Sequence, residues 1–375
     1  MNIPIRFLEE VWNKENHAVL FELVPKEPLA LLNLINLYKA FVPDLRFDAT
    51  GQHWSAVGHH CGRALDIPPT GRAVRLEGSC DLADWDVANF CRLVRVPEAR
   101  FNKMLCPAPG EIRLRSVWRA EGTAVLLFPA LSLPGWITWR RSIEALQYLR
   151  PLLTFQLLAN RWAIEKPELE EGYSVKTETA AVNAALRIAE LDGALDVIGH
   201  SAGGTLALDF ALTYPKQIHS LTLIEPGAAW VLRPYNDQIK AVIEERMAAY
   251  SGTITPERYA SFLRRTLGPG YEPHESQFWP WLCLYRNNMR YRPALYEHVD
   301  DPLRLEAARF PVLLIRGQLS DYYHREIIRV LQTRLPNART VELPGGHSPH
   351  QGQGHSLFIE LLREFHRAAR HGRLC

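Results

Sequence analysis

The chain has 375 residues, of which 47% are hydrophobic and 22% charged, and its formal net charge at pH 7 is +2. These values are ordinary for a globular protein with a sizeable core, and they exclude a disordered, collagen-like or coiled-coil chain. A net charge this close to zero, without a long run of one sign, argues against nucleic acid and against a membrane surface as partners.

The sequence also carries information about location. No apolar run approaches the roughly 20 residues that a membrane-spanning helix needs, and the first residues reach Glu9 and Glu10 without the apolar segment of a secretory signal. The six cysteines are too few and too scattered for a disulfide framework, and no Cys-x-x-Cys pair is present. We therefore expect a cytoplasmic protein with reduced cysteines.

A regular alternation of strand-like and helical segments begins after a Pro/Gly-rich stretch at residues 106–110, and residues 111–375 are predicted to form one domain. Strands are predicted at residues 112–119, 124–128, 152–158, 195–198, 218–224, 311–315 and 340–343. Helices are predicted at residues 139–149, 177–191, 204–212, 325–334 and 357–368. This alternation predicts an α/β fold built of right-handed βαβ units, with a mostly parallel sheet and helices on both of its faces.

Two stretches depart from this alternation. Residues 227–309 are helical in pattern and rich in aromatic side chains, which predicts a cap inserted over the strand ends. Residues 1–106 predict a small α+β unit, with strands at 18–24, 47–57 and 73–76 and a helix at 28–41. This unit has no chemical motif, so its role stays open between a pocket wall, a homo-oligomer surface and a docking module for a partner protein.

A Gly-x-Ser-x-Gly motif occupies residues 199–203, between a predicted strand and a predicted helix. A serine on such a strand–turn–helix is a nucleophile elbow, in which the sharp turn exposes the hydroxyl above the sheet. The adjacent helix N-terminus favours negative charge that develops there. The alternative is a glycine-rich turn that only joins the strand to the helix. We take Ser201 as the candidate nucleophile.

A serine hydroxyl needs a base, and the base needs an orienting carboxylate. His347, which ends a Pro-Gly-Gly-His sequence after the last predicted strand, is the candidate base, with His350 and His355 as rivals. Asp321, in the loop after the next-to-last predicted strand, is the first candidate for the carboxylate. Glu225, directly after the strand before that one, is the alternative.

The order serine, acid, histidine along the chain resembles the α/β-hydrolase superfamily over about residues 111–370. The motifs that carry the resemblance are Gly-His-Ser-Ala-Gly-Gly, Leu-Ile-Glu-Pro, Pro-Val-Leu-Leu-Ile-Arg-Gly and a terminal Gly-Gly-His, and they resemble esterase-like members with a helical cap. By position, the resemblance implies an oxyanion hole made by the backbone N–H groups of Ala202 and Leu131. The His-Gly usual after the third strand of such proteins is absent, although backbone donors do not depend on side-chain identity.

The resemblance and the residues together predict a serine hydrolase without a cofactor. It would cleave a carboxylic ester or a thioester of a small-molecule substrate with an apolar part, through an acyl-enzyme on Ser201. A serine excludes the epoxide hydrolase and haloalkane dehalogenase chemistries of this fold, which need a carboxylate nucleophile. Acyl transfer and hydrolytic carbon–carbon cleavage use the same triad and remain alternatives. A non-catalytic ligand-binding protein that kept the triad is the alternative from another class.

Other side chains are candidates for binding the substrate. An apolar pocket is predicted from Trp136, Trp279, Trp281 and Tyr285, with a self-packed cap core as the alternative. An anionic substrate group is a candidate ligand of Arg286, Arg290 and Arg292, but we favour a solvated helix face for these arginines. No metal site is predicted, because His53, His59, His60 and Cys61 lack regular ligand spacing.

Overall fold

The structure of the chain is a computed structural model. It describes residues 122–165, 172–188, 191, 193–268, 271–276 and 279–370, together with six strands in the part of the chain that precedes them.

The described strands and helices occur in the predicted order, and they include one strand and two α-helices that the sequence pattern did not predict. The strands are β1 (Ile5–Trp12), β2 (His17–Val24), β3 (Arg46–Thr50), β4 (His53–His59), β5 (Ala73–Gly78), β6 (Arg113–Val117), β7 (Val125–Phe128), β8 (Leu152–Gln156), β9 (Leu195–His200), β10 (Ile218–Ile224), β11 (Val312–Gly317) and β12 (Ala338–Leu343). The α-helices are α1 (Gly135–Thr138), α2 (Arg140–Leu146), α3 (Leu158–Glu165), α4 (Val175–Ile188), α5 (Ala202–Thr213), α6 (Asp237–Tyr250), α7 (Pro256–Leu267), α8 (Trp279–Tyr285), α9 (Pro293–Glu297), α10 (Pro302–Ala307), α11 (Tyr322–Arg334) and α12 (His355–Arg370). Short 3₁₀ helices cover Pro215–Gln217, Ala229–Leu232, Pro273–Glu275 and Arg286–Tyr291. The strand and the two α-helices that the sequence pattern did not predict are β1, α1 and α3.

Seven strands form the main sheet, in the order β12-β11-β10-β9-β7-β8-β6. Every neighbouring pair is parallel except β6 and β8, which are antiparallel at one edge of the sheet. The predicted fold class, a mostly parallel α/β sheet, is confirmed. The carboxyl ends of β9, β10 and β11 lie side by side, so the loops that follow them meet at one edge of the sheet.

The sheet is covered on both faces, which explains why its central strands are apolar without alternation. Val125 and Leu127 of β7 belong to a cluster with Trp139 and with α12, while Leu126 and Phe128 belong to a second cluster with α5. Helix α5 is buried from Ala202 to Leu212 and is apolar nearly all round, as expected of a central helix. This burial holds the first turn of α5 rigidly behind the candidate nucleophile.

The ends of most predicted elements differ from the observed ones by one to three residues. Helix α11 begins at Tyr322, three residues before the prediction, because the Asp321 side chain caps it by accepting the N–H of His324 at 2.9 Å. The single strand predicted at residues 47–57 is a pair of antiparallel strands, β3 and β4, in which Thr50 lies opposite His53. The helix predicted at 28–41 lies outside the described residues.

Between β10 and β11 the described chain is helical, from the 3₁₀ helix Ala229–Leu232 to α10, as the sequence predicts for residues 227–309. The division into a unit at 1–106 and a domain at 111–375, and the role of the first unit, stay predictions. Among the helices that the structure describes, none is both long and apolar enough to cross a membrane.

The second glycine of the elbow motif provides a test of the packing. A Cβ added at Gly203 would lie 2.3 Å from the carbonyl oxygen of Pro129 and 2.6 Å from that of Phe128. The helix propensity of alanine favours Gly203→Ala by about 1 kcal/mol, but two backbone oxygens that cannot move away outweigh that gain. We expect Gly203→Ala to lower the free energy of unfolding by roughly 1–3 kcal/mol, measured by urea denaturation.

The matched control for this variant is Gly193→Ala. A Cβ at the exposed Gly193 meets no atom within 4 Å, so little change in stability is expected. Equal stabilities for the two variants would contradict the close approach of α5 to the loop after β7.

Candidate active site

Ser201 lies between β9 and α5 with φ 55° and ψ −122°, a conformation that a non-glycine residue adopts only when its surroundings enforce it. Its N–H donates to the carbonyl of Ile224 at 3.0 Å, which ties the turn to the end of β10. The preceding Gly199 leaves room for α5, since a Cβ there would lie 2.4 Å from the carbonyl oxygen of Gly203. The sharp turn predicted for a nucleophile elbow is therefore present.

His347 lies in the loop between β12 and α12, and its Nε2 is 2.8 Å from Ser201 Oγ. The loop after β11 supports this histidine loop, because the N–H of Gln318 donates to the carbonyl of Leu343 and the N–H of Leu319 to that of Gly345, each at 2.9 Å. With the proton on Nδ1, the His347 ring accepts the serine hydroxyl proton at Nε2.

The two rival histidines have other contacts. The buried ring of His350 packs against Trp139 and His200, with ring centroids 4.9 and 4.4 Å apart. His355 Nδ1 lies 2.9 Å from the carbonyl oxygen of His350. His200 Nε2 lies 2.8 Å from the carbonyl oxygen of His347, so this neighbour of the serine supports the histidine loop. His347 is thus the imidazole that the structure places at Ser201.

Glu225 is the carboxylate that lies beside His347 among the described residues. Its Oε2 is 3.6 Å from His347 Nδ1, longer than a hydrogen bond, as catalytic contacts often are before substrate binds. Oε1 accepts the N–H of Gly317 at 2.8 Å and Oε2 accepts the hydroxyl of Ser320 at 2.9 Å. Glu225 is fully buried with φ 43°, and its own N–H donates to the carbonyl of Ile315 at 2.9 Å. Two donors, at the end of β11 and in the loop after it, therefore hold the carboxylate, while β11 also holds the backbone of Glu225.

Asp321 is placed differently from the prediction, which preferred it to Glu225 as the partner of the imidazole. Its Oδ1 accepts the N–H of His324 and lies 2.8 Å from His324 Nδ1, and its Oδ2 accepts from Arg246 at 2.9 Å. The side chain is 52% exposed. The physical reason is local, because the unpaired N–H groups at the start of α11 capture the nearest carboxylate. The position beside His347 therefore favours Glu225 over Asp321 as the candidate carboxylate.

The electrostatics of the set agree with a neutral imidazole and a carboxylate held by donors. Burial, assisted by the charges of His324 and Arg246, holds the pKa of His347 well below its usual 6.5. Burial raises the pKa of Glu225, while His324 and the donors Gly317 and Ser320 act in the opposite direction by stabilising the carboxylate. His347 is consequently available as a base at neutral pH.

The two predicted oxyanion donors belong to the start of α5 and to the loop after β7. Ala202 is the first residue of α5, so its N–H has no acceptor within the helix. Leu131 is buried in the loop after β7, and its neighbours Ala130 and Ser132 line the same cavity as Ser201. Both positions are compatible with the assignment that the resemblance implies.

Two cavities meet at the serine. The larger one, of about 560 Å³, is lined by Ala130, Ser132, Leu133, Ile137, Thr138, Arg140, His200, Ser201, Phe262, Leu263, Thr266, Leu267, Tyr271, Glu275, Ser276, Leu282, Arg292, His347, Ser348 and Gln351. The smaller one, of about 320 Å³, lies between α6, α9 and the start of α11. Both cavities are lined by Ser201, His347, Phe262, Thr266 and Arg292. A substrate carbonyl at the serine would therefore have room on two sides.

Two of the four aromatic residues predicted for the pocket, Trp279 and Tyr285, do not line it. Trp279 packs against His274, with ring centroids 4.4 Å apart, and the buried Tyr285 accepts a hydrogen bond from Gln156 Nε2. Neither is among the described residues that line the two cavities. The side chains of Trp136 and Trp281 lie outside the described residues.

Helix α7 supplies cavity residues that the sequence reasoning missed. Phe262 and Leu263 line the larger cavity, and both are buried. The signal that was available is the spacing of apolar residues along α7, where Tyr259, Phe262 and Leu263 lie on one helix face.

The prediction that Arg286, Arg290 and Arg292 form a solvated helix face is wrong for one of them. Arg292 is only 7% exposed and lines both cavities. Arg286, by contrast, donates to the carbonyl oxygens of Ile254 and Cys283 at 2.9 and 2.6 Å.

Two groups of side chains in the described chain are close enough to offer three ligands to a metal ion. The first, Glu225, His324 and His347, coincides with the acid–base set beside Ser201. The second is Asp209, His298 and Asp300. In the second group Lys176 Nζ lies 2.5 Å from Asp209, and Arg304 Nη1 lies 2.5 Å from Asp300, so two cations already balance the two carboxylates.

A mainly parallel sheet with a serine elbow after one strand and a histidine loop after the last defines the α/β-hydrolase class. The family described as "Alpha/beta hydrolase family" matches residues 133–360, more than half of the chain, and the protein belongs to that family. Relatives in it are hydrolases, and the protein is an enzyme of the α/β-hydrolase kind.

Individual relatives are distant. The chain is 25% identical over 186 residues to "Putative carbamate hydrolase RutD" of Klebsiella pneumoniae subsp. pneumoniae, an alignment that covers 48% of this chain and 68% of that protein. It is similar in fold to the meta-cleavage product hydrolase CumD from Pseudomonas fluorescens, with 17% identity, a TM-score of 0.53, and coverage of 69% of this chain and 94% of that one. A thermophilic esterase from Thermogutta terrifontis gives 20% identity, a TM-score of 0.51, and coverage of 69% and 93%. These two structural likenesses show the fold alone.

Proposed function

We propose that the protein is a serine hydrolase that cleaves a carboxylic ester or a thioester through an acyl-enzyme on Ser201. The observation that carries the proposal is the 2.8 Å contact between Ser201 Oγ and His347 Nε2, with Glu225 behind the ring. A lone serine is a weak nucleophile, but one that transfers its proton to a neutral, oriented imidazole is a strong one.

The reaction proceeds in two halves. Ser201 Oγ attacks the substrate carbonyl while His347 Nε2 takes its proton, and the N–H groups of Ala202 and Leu131 stabilise the oxyanion. His347 then gives the proton to the departing alcohol or thiol, which leaves the acyl group on Ser201. In the second half a water molecule attacks the acyl-enzyme, its proton passes to His347 and then to Ser201, and the carboxylic acid is released. Glu225 orients the ring and stabilises its charged form.

The two cavities support a substrate with a group on each side of the scissile bond. The larger cavity, of about 560 Å³, is lined by apolar side chains such as Phe262, Leu263 and Leu282, which suits an apolar part of a small molecule. The name of the relative RutD refers to a carbamate, whose carbonyl also carries a leaving heteroatom, so the same first step applies to it.

Covalent labelling tests this proposal. We expect a fluorophosphonate probe to label the intact protein and to label Ser201→Ala not at all, because the probe reacts only with an activated serine. Ser348→Ala is the matched control, since Ser348 lines the same cavity but its Oγ lies 3.5 Å from His200 Nε2. Labelling is read by gel fluorescence and by mass spectrometry of the modified peptide.

Absence of label on the intact, folded protein would overturn the proposal in favour of a non-catalytic ligand-binding protein. A label that persists in Ser201→Ala and is lost in Ser348→Ala would show that Ser348, and not Ser201, is the reactive serine.

A further inference from the structure

Arg292 occupies a position that the proposed reaction leaves unused. It follows the 3₁₀ helix Arg286–Tyr291, is 7% exposed, and lines both cavities together with Ser201 and His347. A guanidinium group is rarely buried to this extent unless an anion or several acceptors compensate its charge.

The protein itself compensates this charge only weakly. The guanidinium carbon lies 4.6 Å from the ring centroid of Phe262 and 5.7 Å from that of Tyr250. Nη2 reaches the carbonyl oxygen of Leu131 at 3.5 Å, the long limit of a hydrogen bond. Nε is buried and has no acceptor among the described residues. Two aromatic faces and one distant carbonyl orient the group without neutralising it.

The other arginines of the smaller cavity are neutralised. Arg246 pairs with Asp321 at 2.9 Å, and Arg265 lies 3.8 Å from Glu245. No carboxylate of the described chain lies within 4 Å of the Arg292 guanidinium. Among the arginines that line the smaller cavity, Arg292 is therefore the one that no carboxylate of the described chain pairs with.

The position of Arg292 indicates which molecule would balance it. The guanidinium contacts the carbonyl of Leu131, the residue whose N–H is assigned to the oxyanion hole, so it lies close to the reacting carbonyl. A planar guanidinium binds a carboxylate through two parallel hydrogen bonds. A single unbalanced charge matches a carboxylate better than a phosphate dianion, which would need a second free cation.

We propose that the substrate carries a carboxylate near its scissile carbonyl and that Arg292 binds this carboxylate. The inference rests on the proposed function and names its substrate class, the half-esters and related anionic esters of dicarboxylic acids. Arg292 acts in it as a specificity-determining residue.

Binding to the Ser201→Ala protein tests the inference without turnover. The probes are the monomethyl esters of succinate, glutarate and adipate, each paired with its neutral dimethyl ester, and dissociation constants are measured by ligand-observed NMR. We expect at least one half-ester to bind about tenfold or more tightly than its diester, since a charge-assisted bidentate contact is lost in the diester. Adding Arg292→Met should abolish that preference, and Arg292→Lys should retain part of it.

The matched control is Arg290→Met, which removes the same side chain from a residue that does not line either cavity in the described chain. It is expected to keep the preference for the half-ester. The readout is a ratio of two ligands on one protein, so a variant that is partly unfolded lowers both affinities and leaves the ratio unchanged.

In the active enzyme the same ratio is measured as kcat/KM, and Arg292→Met is expected to lower the half-ester-to-diester ratio by about tenfold or more. A ratio that Arg292→Met leaves unchanged, or half-esters that never bind better than their diesters, would overturn the inference. Failure of the proposed function would give a different result. The intact protein would then take up no fluorophosphonate label, while the Ser201→Ala protein would still bind the anionic ligands.

Discussion

Glu225→Gln is expected to lower kcat about 10⁴-fold, whereas Asp321→Asn is expected to lower it less than about tenfold. The larger value is the loss seen when the carboxylate of a serine triad becomes an amide and the imidazole is held in the wrong tautomer. Glu225 lies 3.6 Å from His347 Nδ1, and the donors Gly317 and Ser320 orient it. Asp321 acts mainly on α11 and His324.

Neither substitution, Glu225→Gln or Asp321→Asn, is expected to disturb folding. Asparagine is as good a helix N-cap as aspartate, so Asp321→Asn keeps the start of α11. Glutamine at position 225 keeps the shape of the buried side chain. The measurement is kcat on the fastest ester of a panel of neutral and half-esters, with thermal unfolding curves for both proteins. A larger loss for Asp321→Asn than for Glu225→Gln would return the acid to the residue that the sequence pattern favours.

Ser201→Ala and His347→Ala are each expected to lower kcat about 10⁶-fold, and the double variant is expected to be no slower than either single one. The reason is that the serine hydroxyl and the imidazole act as one unit, so removing either removes the nucleophilic pathway. Their 2.8 Å contact is the structural basis for that coupling. The residual rate comes from the oxyanion donors and from substrate binding.

His355→Gln is the control for this pair. His355 is the first residue of α12 and contacts the carbonyl of His350, and it is not among the described residues that line the two cavities. Its kcat should stay close to that of the wild type. Additive losses in the Ser201→Ala/His347→Ala double variant would contradict a shared mechanism, as would a loss in His355→Gln comparable to that in His347→Ala.

The fold class and the contact between Ser201 and His347 could be predicted from local sequence patterns. The apolar pattern that indicates a buried strand lies within a few consecutive residues. Strands such as β7 and β9 can therefore be predicted from the sequence. The elbow is equally local, because the glycines at 199 and 203 and the positive φ of Ser201 belong to one turn. His347 follows from its place after the last strand of a parallel sheet.

The packing of separate elements sets which carboxylate faces the imidazole and which residues line the cavities at the serine, and neither follows from the sequence pattern. Glu225 and Asp321 follow neighbouring strands, so chain order brings both to the same sheet edge. The choice between them depends on which one the N-terminus of α11 captures, a matter of a few ångströms. Likewise, Arg292 occupies a polar stretch of sequence, and its burial results from contacts with Phe262 and Leu131, which are distant in the chain. The periodicity of apolar residues predicts the face of a helix or strand on which a side chain lies. The residues that this face contacts are determined by the packing of separate elements.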